Sequence, residues 1–243
     1  MLIKDKVVLI TGASEGVGAA CAAEFAACGA KLSLAARNEE GLRRAGGADA
    51  AITAGDLTLE ATRRLAIERT IERFGTIDIL INNAGVAGYG NPVSMNFASA
   101  IDEMNVNYFG ALLMTRALAP AMIERGEGMI VNIATAFAKI NLPIVGTYCA
   151  SKAALLSLGQ ALRAYLSEQG VHVMTVMPTT FESDMSKGAD VPKMTKEFVA
   201  GEILRHIREE SVDPPIGEEA TGVLDGLKND PLGLERMLSQ IRA

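Results

Sequence analysis

The chain is poor in the residue types that build metal sites and disulfide frameworks. It contains three cysteines, two histidines and no tryptophan among 243 residues. Cys21, Cys28 and Cys149 show neither the spacing of metal ligands nor an even disulfide framework. We interpret the first two as small core residues and assign Cys149 no role, since a neighbouring tyrosine does not make a thiol reactive. His172 and His206 stand without a nucleophile or ligand cluster, and we interpret both as structural.

The sequence also lacks basic runs and long apolar runs. Its formal net charge is -6, whereas a nucleic-acid partner would demand clustered Lys or Arg for its phosphates. No uninterrupted apolar stretch reaches the roughly twenty residues of a membrane span. The apolar run 7–10 begins too early to leave room for a signal peptide. We therefore expect a soluble, cytoplasmic protein that binds neither nucleic acid nor membranes.

What the sequence does have is a regular alternation of apolar strands and longer helices. Such strands, without polar alternation, are typical of a parallel sheet that helices cover on both faces. The pattern predicts an α/β, doubly wound Rossmann fold, one domain over residues 1–243, with a mainly parallel sheet of about seven strands. Strands are predicted at 6–11, 31–36, 50–54, 77–81, 129–133, 171–177 and 215–216. Helices are predicted up to about 28 and at 59–74, 96–124, 148–169 and 196–209, with an irregular excursion at about 179–195.

A glycine-rich turn joins the first strand to the first helix. In that position, backbone amides and the positive end of the helix can receive a pyrophosphate. A tight structural turn would use glycine as well, but the βαβ context favours nucleotide binding. The candidate cofactor-binding residues of this turn are Gly12, Ser14, Glu15, Gly16, Val17 and Gly18.

The end of the second strand bears on the choice of cofactor. Ala36 stands where an NAD-selective protein would offer a carboxylate to the ribose hydroxyls, and Arg37 follows it. An arginine there suits the 2′-phosphate of NADP. Glu15 complicates the choice, because an inward carboxylate would repel that phosphate, and Arg37 on a solvated surface remains the alternative. We expect NADP, with NAD as the alternative.

Two further strand ends carry candidate cofactor residues. Asp56, followed by Leu57, could contact adenine through its carboxylate or cap the next helix. The small residues of Asn83-Ala84-Gly85 permit a close backbone approach, and their amides could brace either the sheet or the cofactor.

Tyr148 and Lys152 are spaced so that one helix face carries a phenol and an ammonium. At about 5 Å and an effective dielectric near 20, the cation would lower the phenol's pKa by about two units. The pair would then exchange protons near neutral pH. The alternative is a solvated lysine beside a packed tyrosine, with no catalytic role for either.

Together, TGASEGVG, NNAG, the asparagine of Asn105-Val106-Asn107-Tyr108, and YCASK resemble the short-chain dehydrogenase/reductase family. The resemblance implies that Tyr148 is the general acid/base. Lys152 would be its cationic partner and would hold the nicotinamide ribose, and Asn107 would anchor a water of the proton relay. The family's substrate-binding serine is here Thr135, which keeps the hydroxyl but adds a methyl group. All four are candidate catalytic residues.

A second departure lies after the sixth strand, where the family's Pro-Gly is Pro178-Thr179. Ser183 replaces the usual threonine that bonds the carboxamide, and it retains a hydroxyl. Pro178 and Ser183 complete the candidate cofactor site. We expect the substrate pocket to be formed by residues 86–91, 137–140 and 179–194.

The resemblance implies an oxidoreductase that transfers a hydride between NADP(H) and a carbonyl or secondary alcohol of a small, hydrophobic molecule. The reaction requires no metal. A non-catalytic NADP-binding sensor or scaffold is the alternative, as is a lyase or isomerase on the same fold. A homodimer or homotetramer is expected, with the apolar side chains of Leu112, Leu113, Leu155, Leu158 and Leu162 as candidates for the interface. The stretch after residue 217 could pack on a neighbour or cover the substrate mouth.

Overall fold

The fold is built on one seven-stranded sheet in which every neighbouring pair of strands is parallel. The computed structural model describes residues 1–187 and 191–241. The strand order is β3-β2-β1-β4-β5-β6-β7. The strands are β1 (Val7–Thr11), β2 (Lys31–Ala36), β3 (Ala51–Ala54), β4 (Ile79–Asn82), β5 (Gly128–Ile133), β6 (Val171–Pro178) and β7 (Pro215–Ile216).

Helices connect these strands and cover both faces of the sheet. They are α1 (Gly16–Ala27), α2 (Glu39–Gly46), α3 (Glu60–Phe74), α4 (Phe97–Glu103), α5 (Ala111–Arg125), α6 (Gly146–Leu166), α7 (Lys196–Arg208), α8 (Glu218–Asn229) and α9 (Pro231–Leu238). The predicted doubly wound Rossmann fold with about seven strands is therefore confirmed.

Alternate residues of each central strand enter two separate cores, because successive side chains point to opposite faces. Val8 and Ile10 of β1 pack in the core that includes Phe25 of α1 and Ile203 of α7. Leu9, between them, packs in the core that includes Met114 of α5. Burial on both faces explains why these strands are apolar without alternation.

The position of the site follows from the strand order. β1 lies between β2 and β4, so β2 and β3 lie on one side of β1 and the later strands β4 to β7 lie on the other. The loops that follow β1 and β4 therefore separate at the carboxyl ends of the strands and leave a crevice between them. Thr11 and Asn82 end the two strands at this crevice.

The long helix predicted at 96–124 is present but is not uniformly α-helical. Residues Met104–Gly110 form a π-helical segment between α4 and α5. By length and composition alone, the continuous stretch 97–125 could cross a membrane. In this fold, its buried side chains Met114, Leu118 and Met122 pack against the sheet.

Three features differ from the sequence prediction. Helix α2 was not predicted, although Asn38 accepts a hydrogen bond from the backbone N–H of Gly41 at 3.0 Å and caps it. Helix α6 begins at Gly146 rather than at the tyrosine. The irregular excursion contains a short bridge between Phe181 and Met194, and its residues 188–190 lie outside the described residues.

Candidate active site

A cavity of about 590 Å³ opens at the crevice. Loops after β1, β2, β3 and β4 line it, together with the start of α6 and part of the 179–195 excursion. Most of the predicted site residues meet there: Gly12, Ser14, Glu15, Gly16, Val17, Arg37, Asp56, Leu57, Asn83, Ala84, Gly85, Tyr148, Lys152 and Ser183. Four predicted residues, Gly18, Asn107, Thr135 and Pro178, do not line the cavity.

The glycine-rich turn is held in a conformation that side chains would not permit. Gly12 has φ +66°, and a Cβ atom there would lie 2.7 Å from the Cα atom of Ala84. At Gly18, a Cβ atom would lie 2.3 Å from the carbonyl oxygen of Gly12. Gly12 therefore allows two cavity loops to touch, whereas Gly18 allows the turn to fold onto its own helix. This is the cradle that a pyrophosphate at a helix N-terminus requires.

Asn83 braces this turn from the neighbouring strand. Its Nδ2 donates hydrogen bonds to the carbonyl oxygens of Thr11 and Gly12, both at 3.0 Å. The hydroxyl of Thr11 in turn accepts from the backbone N–H groups of Asn83 at 3.0 Å and Ala84 at 3.1 Å. Of the two roles left open by the sequence, the side chain of Asn83 performs the bracing one.

Arg37 and Asp56 lie at another part of the cavity. Arg37 is exposed. One oxygen of Asp56 accepts from the backbone N–H and the hydroxyl of Thr58, both at 2.8 Å. These bonds, with a smaller contribution from the charge of Arg37, hold the pKa of Asp56 below its usual value. Helix α3 begins after Leu59, so Asp56 organises the preceding turn and does not cap the helix itself.

Glu15 lies against the 179–195 excursion. It borders both the main cavity and a second one of about 440 Å³ that Asp184 and Lys187 also line. Lys187 pairs with Asp184 and holds the pKa of that carboxyl below its usual value. The charge of Glu15 contributes in turn to the raised pKa of Lys187, and therefore acts on this residue of the excursion.

Tyr148 and Lys152 line the cavity from α6, as their spacing predicts. The Nζ atom of Lys152 lies 5.9 Å from the centroid of the Tyr148 ring and donates a hydrogen bond of 2.7 Å to the carbonyl of Ile133. Lys152 is 4% exposed. This burial lowers the pKa of its ammonium to about 8.

The predicted direction of the Tyr148 pKa is wrong. Burial raises the pKa of its hydroxyl above the usual value, and the neighbouring Cys149, Tyr89 and Glu103 raise it further. Loss of hydration disfavours the phenolate more than the nearby ammonium favours it. The hydroxyl is therefore a protonated donor in this structure.

Asn107 lies just behind this pair, in the π-helical segment. Its side-chain amide accepts from the N–H of Val86 at 2.8 Å and donates to the carbonyl of Val86 at 2.9 Å. It also donates to the hydroxyl of Ser151 at 2.8 Å. A Cβ atom on Gly85 would lie 3.3 Å from both the Oδ1 atom of Asn107 and the Nζ atom of Lys152. Asn107 thus ties the β4 loop to α6 beside the lysine.

Thr135 is turned away from the cavity. Its hydroxyl donates to the carbonyl of Pro178 at 3.0 Å and accepts from the N–H of Phe137 at 3.3 Å. This arrangement joins the ends of β5 and β6 and leaves no hydroxyl proton for a substrate. The next residue after Pro178, Thr179, has a buried hydroxyl without a hydrogen-bond partner among the described residues.

Ser183 does line the cavity. Its hydroxyl accepts from the N–H of Ser186 at 3.3 Å and donates to the Ser186 hydroxyl at 3.3 Å. These bonds cap a single helical turn at Asp184–Ser186.

The predicted pocket wall is correct in two of its three parts. Val86 and Gly88 line the cavity, as do Phe181 and Met185 of the excursion. Residues 137–140 do not, because Phe137 packs instead among the side chains of α8 and α9. Those C-terminal helices contribute Val223 and Leu234 to a core of this chain.

Sequence reasoning missed Glu103, a cavity-lining carboxyl that is 1% exposed. Acidic residues within helices are usually solvated, and Glu103 neighbours another acidic residue, Asp102, which is exposed. The only sequence signal for its burial is its four-residue spacing from Asn107, which places both side chains on one helix face.

A parallel sheet with a glycine-rich crevice at its switch point defines the dinucleotide-binding class of α/β proteins. The short chain dehydrogenase family profile matches residues 6–193. The chain belongs to the short-chain dehydrogenase/reductase family, as its motifs predicted.

Curated relatives match over most of this chain. A zebrafish (Danio rerio) protein named dehydrogenase/reductase SDR family member 7B is 35% identical over 199 residues, which are 77% of this chain and 64% of the relative. An uncharacterized oxidoreductase of Thermotoga maritima is 36% identical over 190 residues, which are 76% of this chain and 75% of the relative. The match therefore spans less than two thirds of the zebrafish relative's length.

Solved structures share the whole fold. A short chain dehydrogenase from Burkholderia cenocepacia in complex with NADP has a TM-score of 0.90 at 30% identity, over 98% of this chain and 99% of that one. A 3-ketoacyl-(acyl-carrier-protein) reductase from Brucella melitensis complexed with NADH has a TM-score of 0.83 at 28% identity, over 88% of this chain and 98% of that one.

Proposed function

We propose that this chain is an NADP(H)-dependent oxidoreductase that interconverts a carbonyl and a secondary alcohol of a small, largely hydrophobic molecule. The observation that carries the proposal is the meeting of Tyr148 and Lys152 in the cavity that the glycine-rich turn also lines. A chain that only bound the nucleotide would need the turn but not a partly buried phenol and a buried ammonium beside it.

The residues present fit a dinucleotide. The turn at Gly12 has no room for side chains and presents the N-terminus of α1, which suits a pyrophosphate. Lys152 would hold the nicotinamide ribose hydroxyls and Ser183 the carboxamide. When bound, the nicotinamide supplies or accepts the hydride.

Tyr148 would supply the proton. In the reducing direction its hydroxyl, which burial keeps protonated, donates a proton to the carbonyl oxygen as the carbon receives the hydride. Lys152 then lies near the phenolate that forms, and its charge stabilises that phenolate. Proton and hydride together convert C=O to CH–OH. In oxidation the same groups act in reverse.

Replacement of Tyr148 by Phe tests this role. The variant retains the ring and loses the proton, so we expect turnover to fall by about 10³-fold or more while NADPH binds within about threefold of the wild type. Carbonyl substrates would be screened by NADPH absorbance, and cofactor binding would be titrated separately. Near-normal turnover in the variant would contradict the acid/base role.

We propose NADP rather than NAD because Arg37 is exposed beside the cavity and offers a guanidinium to the 2′-phosphate. Glu15 supports this proposal, since the charge of its carboxylate acts on Lys187 of the excursion. Arg37→Ala should weaken NADPH binding at least tenfold and NADH binding less than twofold. Equal weakening of both cofactors would remove Arg37 from phosphate recognition.

One observation favours the second candidate, a non-catalytic NADP-binding sensor. The hydroxyl of Thr135 is engaged by Pro178 and leaves the substrate oxygen without its usual second donor. Thr135→Ser, which frees the rotamer, should raise kcat/KM several-fold if the chain is an enzyme. A sensor would show no turnover in either form, with any carbonyl of the panel.

We further propose that the protein acts in the cytoplasm as a homodimer or homotetramer. Exposed apolar side chains along the 97–125 helix support self-association, namely Phe97, Ile101 and Phe109.

A further inference from the structure

Tyr89 belongs to a loop that is fixed to the fold on both sides of this residue. The backbone N–H of Gly88 donates a hydrogen bond of 2.6 Å to the carboxyl of Glu103, which is 1% exposed. The backbone N–H of Gly90 donates one of 2.9 Å to the carbonyl of Ile144. The side chain of Tyr89, which is 50% exposed, therefore extends from a rigid base.

The facing wall of the cavity belongs to the 179–195 excursion, whose two ends are joined. The N–H of Met194 donates to the carbonyl of Thr180 at 3.1 Å, and the N–H of Glu182 donates to the carbonyl of Met194 at 3.0 Å. Between these ends the chain reaches across to the glycine-rich turn. A Cβ atom on Gly16 would lie 3.9 Å from the Cβ atom of Ser183.

One hydrogen bond joins the two walls. The Tyr89 hydroxyl donates at 2.8 Å to the carbonyl of Met185. Within the ranges that the structure describes, no other hydrogen bond connects residues 86–91 to the excursion. Met185 lines the cavity, and Tyr89 is close enough to Tyr148 to add to the raised pKa of that hydroxyl. The bond therefore spans the cavity beside the reacting centre.

This bond acts on a local equilibrium more than on global stability. Water competes for a half-exposed hydroxyl and for a loop carbonyl, so the net contribution of the bond to folding is small. Movement of residues 183–185 away from Tyr89 breaks the bond but leaves the cores of the sheet intact. Loss of one such bond should shift that local opening about two- to tenfold.

We propose that Tyr89 is a positioning residue that holds residues 183–185 over the bound nucleotide, so that its hydrogen bond must break before the nucleotide enters or leaves. A nucleotide that contacts both the glycine-rich turn and Lys152 shares the cavity with residues 183–185. The inference rests on the proposed binding of NADP(H), and it adds the residue that controls the rate of nucleotide exchange.

Tyr89→Phe tests the inference, because it removes the hydroxyl and keeps the ring. Stopped-flow fluorescence would give the association and dissociation rate constants of NADPH. We expect both to rise about two- to tenfold, while the dissociation constant changes by less than about twofold, since one opening step precedes both entry and exit. A tyrosine that merely contacted the nucleotide would, when replaced, raise only the dissociation rate constant and weaken binding.

Amide hydrogen exchange of the nucleotide-free protein measures the same opening without NADPH. The N–H groups of Ser186 and Lys187, which are hydrogen-bonded within the single helical turn, should exchange about two- to tenfold faster in Tyr89→Phe. Tyr165→Phe is the matched control, because Tyr165 is 70% exposed on α6 and does not line the cavity. It should change neither the rate constants nor the exchange.

Unchanged rate constants in Tyr89→Phe, a rise of the dissociation rate constant alone, or unchanged exchange of Ser186 and Lys187 would each overturn the inference. Equal effects of Tyr89→Phe and Tyr165→Phe would overturn it as well. Carbonyl turnover with NADPH tests the proposed function separately, and a wild type that failed to bind the nucleotide would contradict both.

Discussion

At the scale of single residues, Lys152 shows how a functional group acts against stability. Burial lowers the pKa of Lys152 from 10.5 to about 8. Keeping this ammonium charged in the folded chain at pH 7 therefore costs about 3 kcal/mol. The hydrogen bond to the Ile133 carbonyl offsets about 1 kcal/mol of this cost.

Lys152→Met should consequently raise the free energy of unfolding by about 1–2 kcal/mol at pH 7 while it abolishes turnover. Between pH 8 and 10.5 the folded wild type has lost this proton and the unfolded chain retains it. Wild-type stability then rises with pH, and the advantage of the variant should shrink. Denaturant unfolding at pH 7 and pH 10 measures both effects.

Lys31→Met provides the control, since Lys31 is exposed at the start of β2. It should change stability by less than about 0.5 kcal/mol at either pH. A destabilised Lys152→Met at pH 7 would show that the hydrogen bond to Ile133 outweighs the burial of charge.

Single residues also show which properties of the site could be predicted from the sequence. Tyr148, Lys152 and Arg37 were placed correctly in the cavity because spacing on a helix and position at a strand end fix where a side chain lies. The orientation of Thr135 and the pKa direction of Tyr148 were not predictable. The first depends on a contact across the fold, the carbonyl of Pro178, and the second on the burial of the hydroxyl by the folded chain.

At the scale of elements, α6 and β6 approach each other at Gly159. A Cβ atom there would lie 2.2 Å from the hydroxyl oxygen of the buried Thr175. Gly159→Ala should therefore lower the free energy of unfolding by about 1–3 kcal/mol, despite the higher helix propensity of alanine. Because α6 also carries Tyr148 and Lys152, we expect turnover to fall together with stability.

Gly222 of α8 is a matched control, since a Cβ atom there meets nothing within 4 Å. Gly222→Ala should stabilise the protein by about 0.5–1 kcal/mol and leave turnover unchanged. Thermal unfolding of both variants beside the wild type gives the comparison. A neutral Gly159→Ala would mean that α6 can move away from the sheet without cost.

The elements themselves were predicted from apolar periodicity, and most boundaries differ by only a few residues. Helix α2 was not predicted because only Gly41 and Leu42 among its residues are buried, so its sequence has no apolar stripe. The π-helical segment was not predicted for a different reason. A π-helical turn contains about one residue more than an α-helical turn, and this difference is not visible in the residue types of the sequence. The role of the segment follows from tertiary hydrogen bonds, such as those between Asn107 and Val86.

At the scale of the whole molecule, the 97–125 helix leaves an apolar face exposed. Phe97 is 76% exposed, Ile101 45% and Phe109 44%. We expect the mass in solution to be that of a dimer or tetramer, and Phe109→Asp to shift it towards the monomer. Light scattering coupled to size exclusion measures this mass.

Leu2→Asp is the control for a general effect of charge. Leu2 is 86% exposed and borders a separate cavity at the amino ends of β5 and β6. It should leave the mass unchanged. A monomeric wild type would contradict self-association through this face, which would then serve some other partner.

The central position of β1 has a consequence for biosynthesis. Strands β1 to β3 pair locally and can associate once residue 54 has emerged from the ribosome, whereas the other edge of β1 pairs with β4, some seventy residues further along. Until then the nascent chain exposes the unpaired backbone edge of Val8, Leu9 and Ile10. The cavity needs residues from Thr11 to Met185, so a ribosome-bound fragment gains a partial sheet well before it can bind a nucleotide.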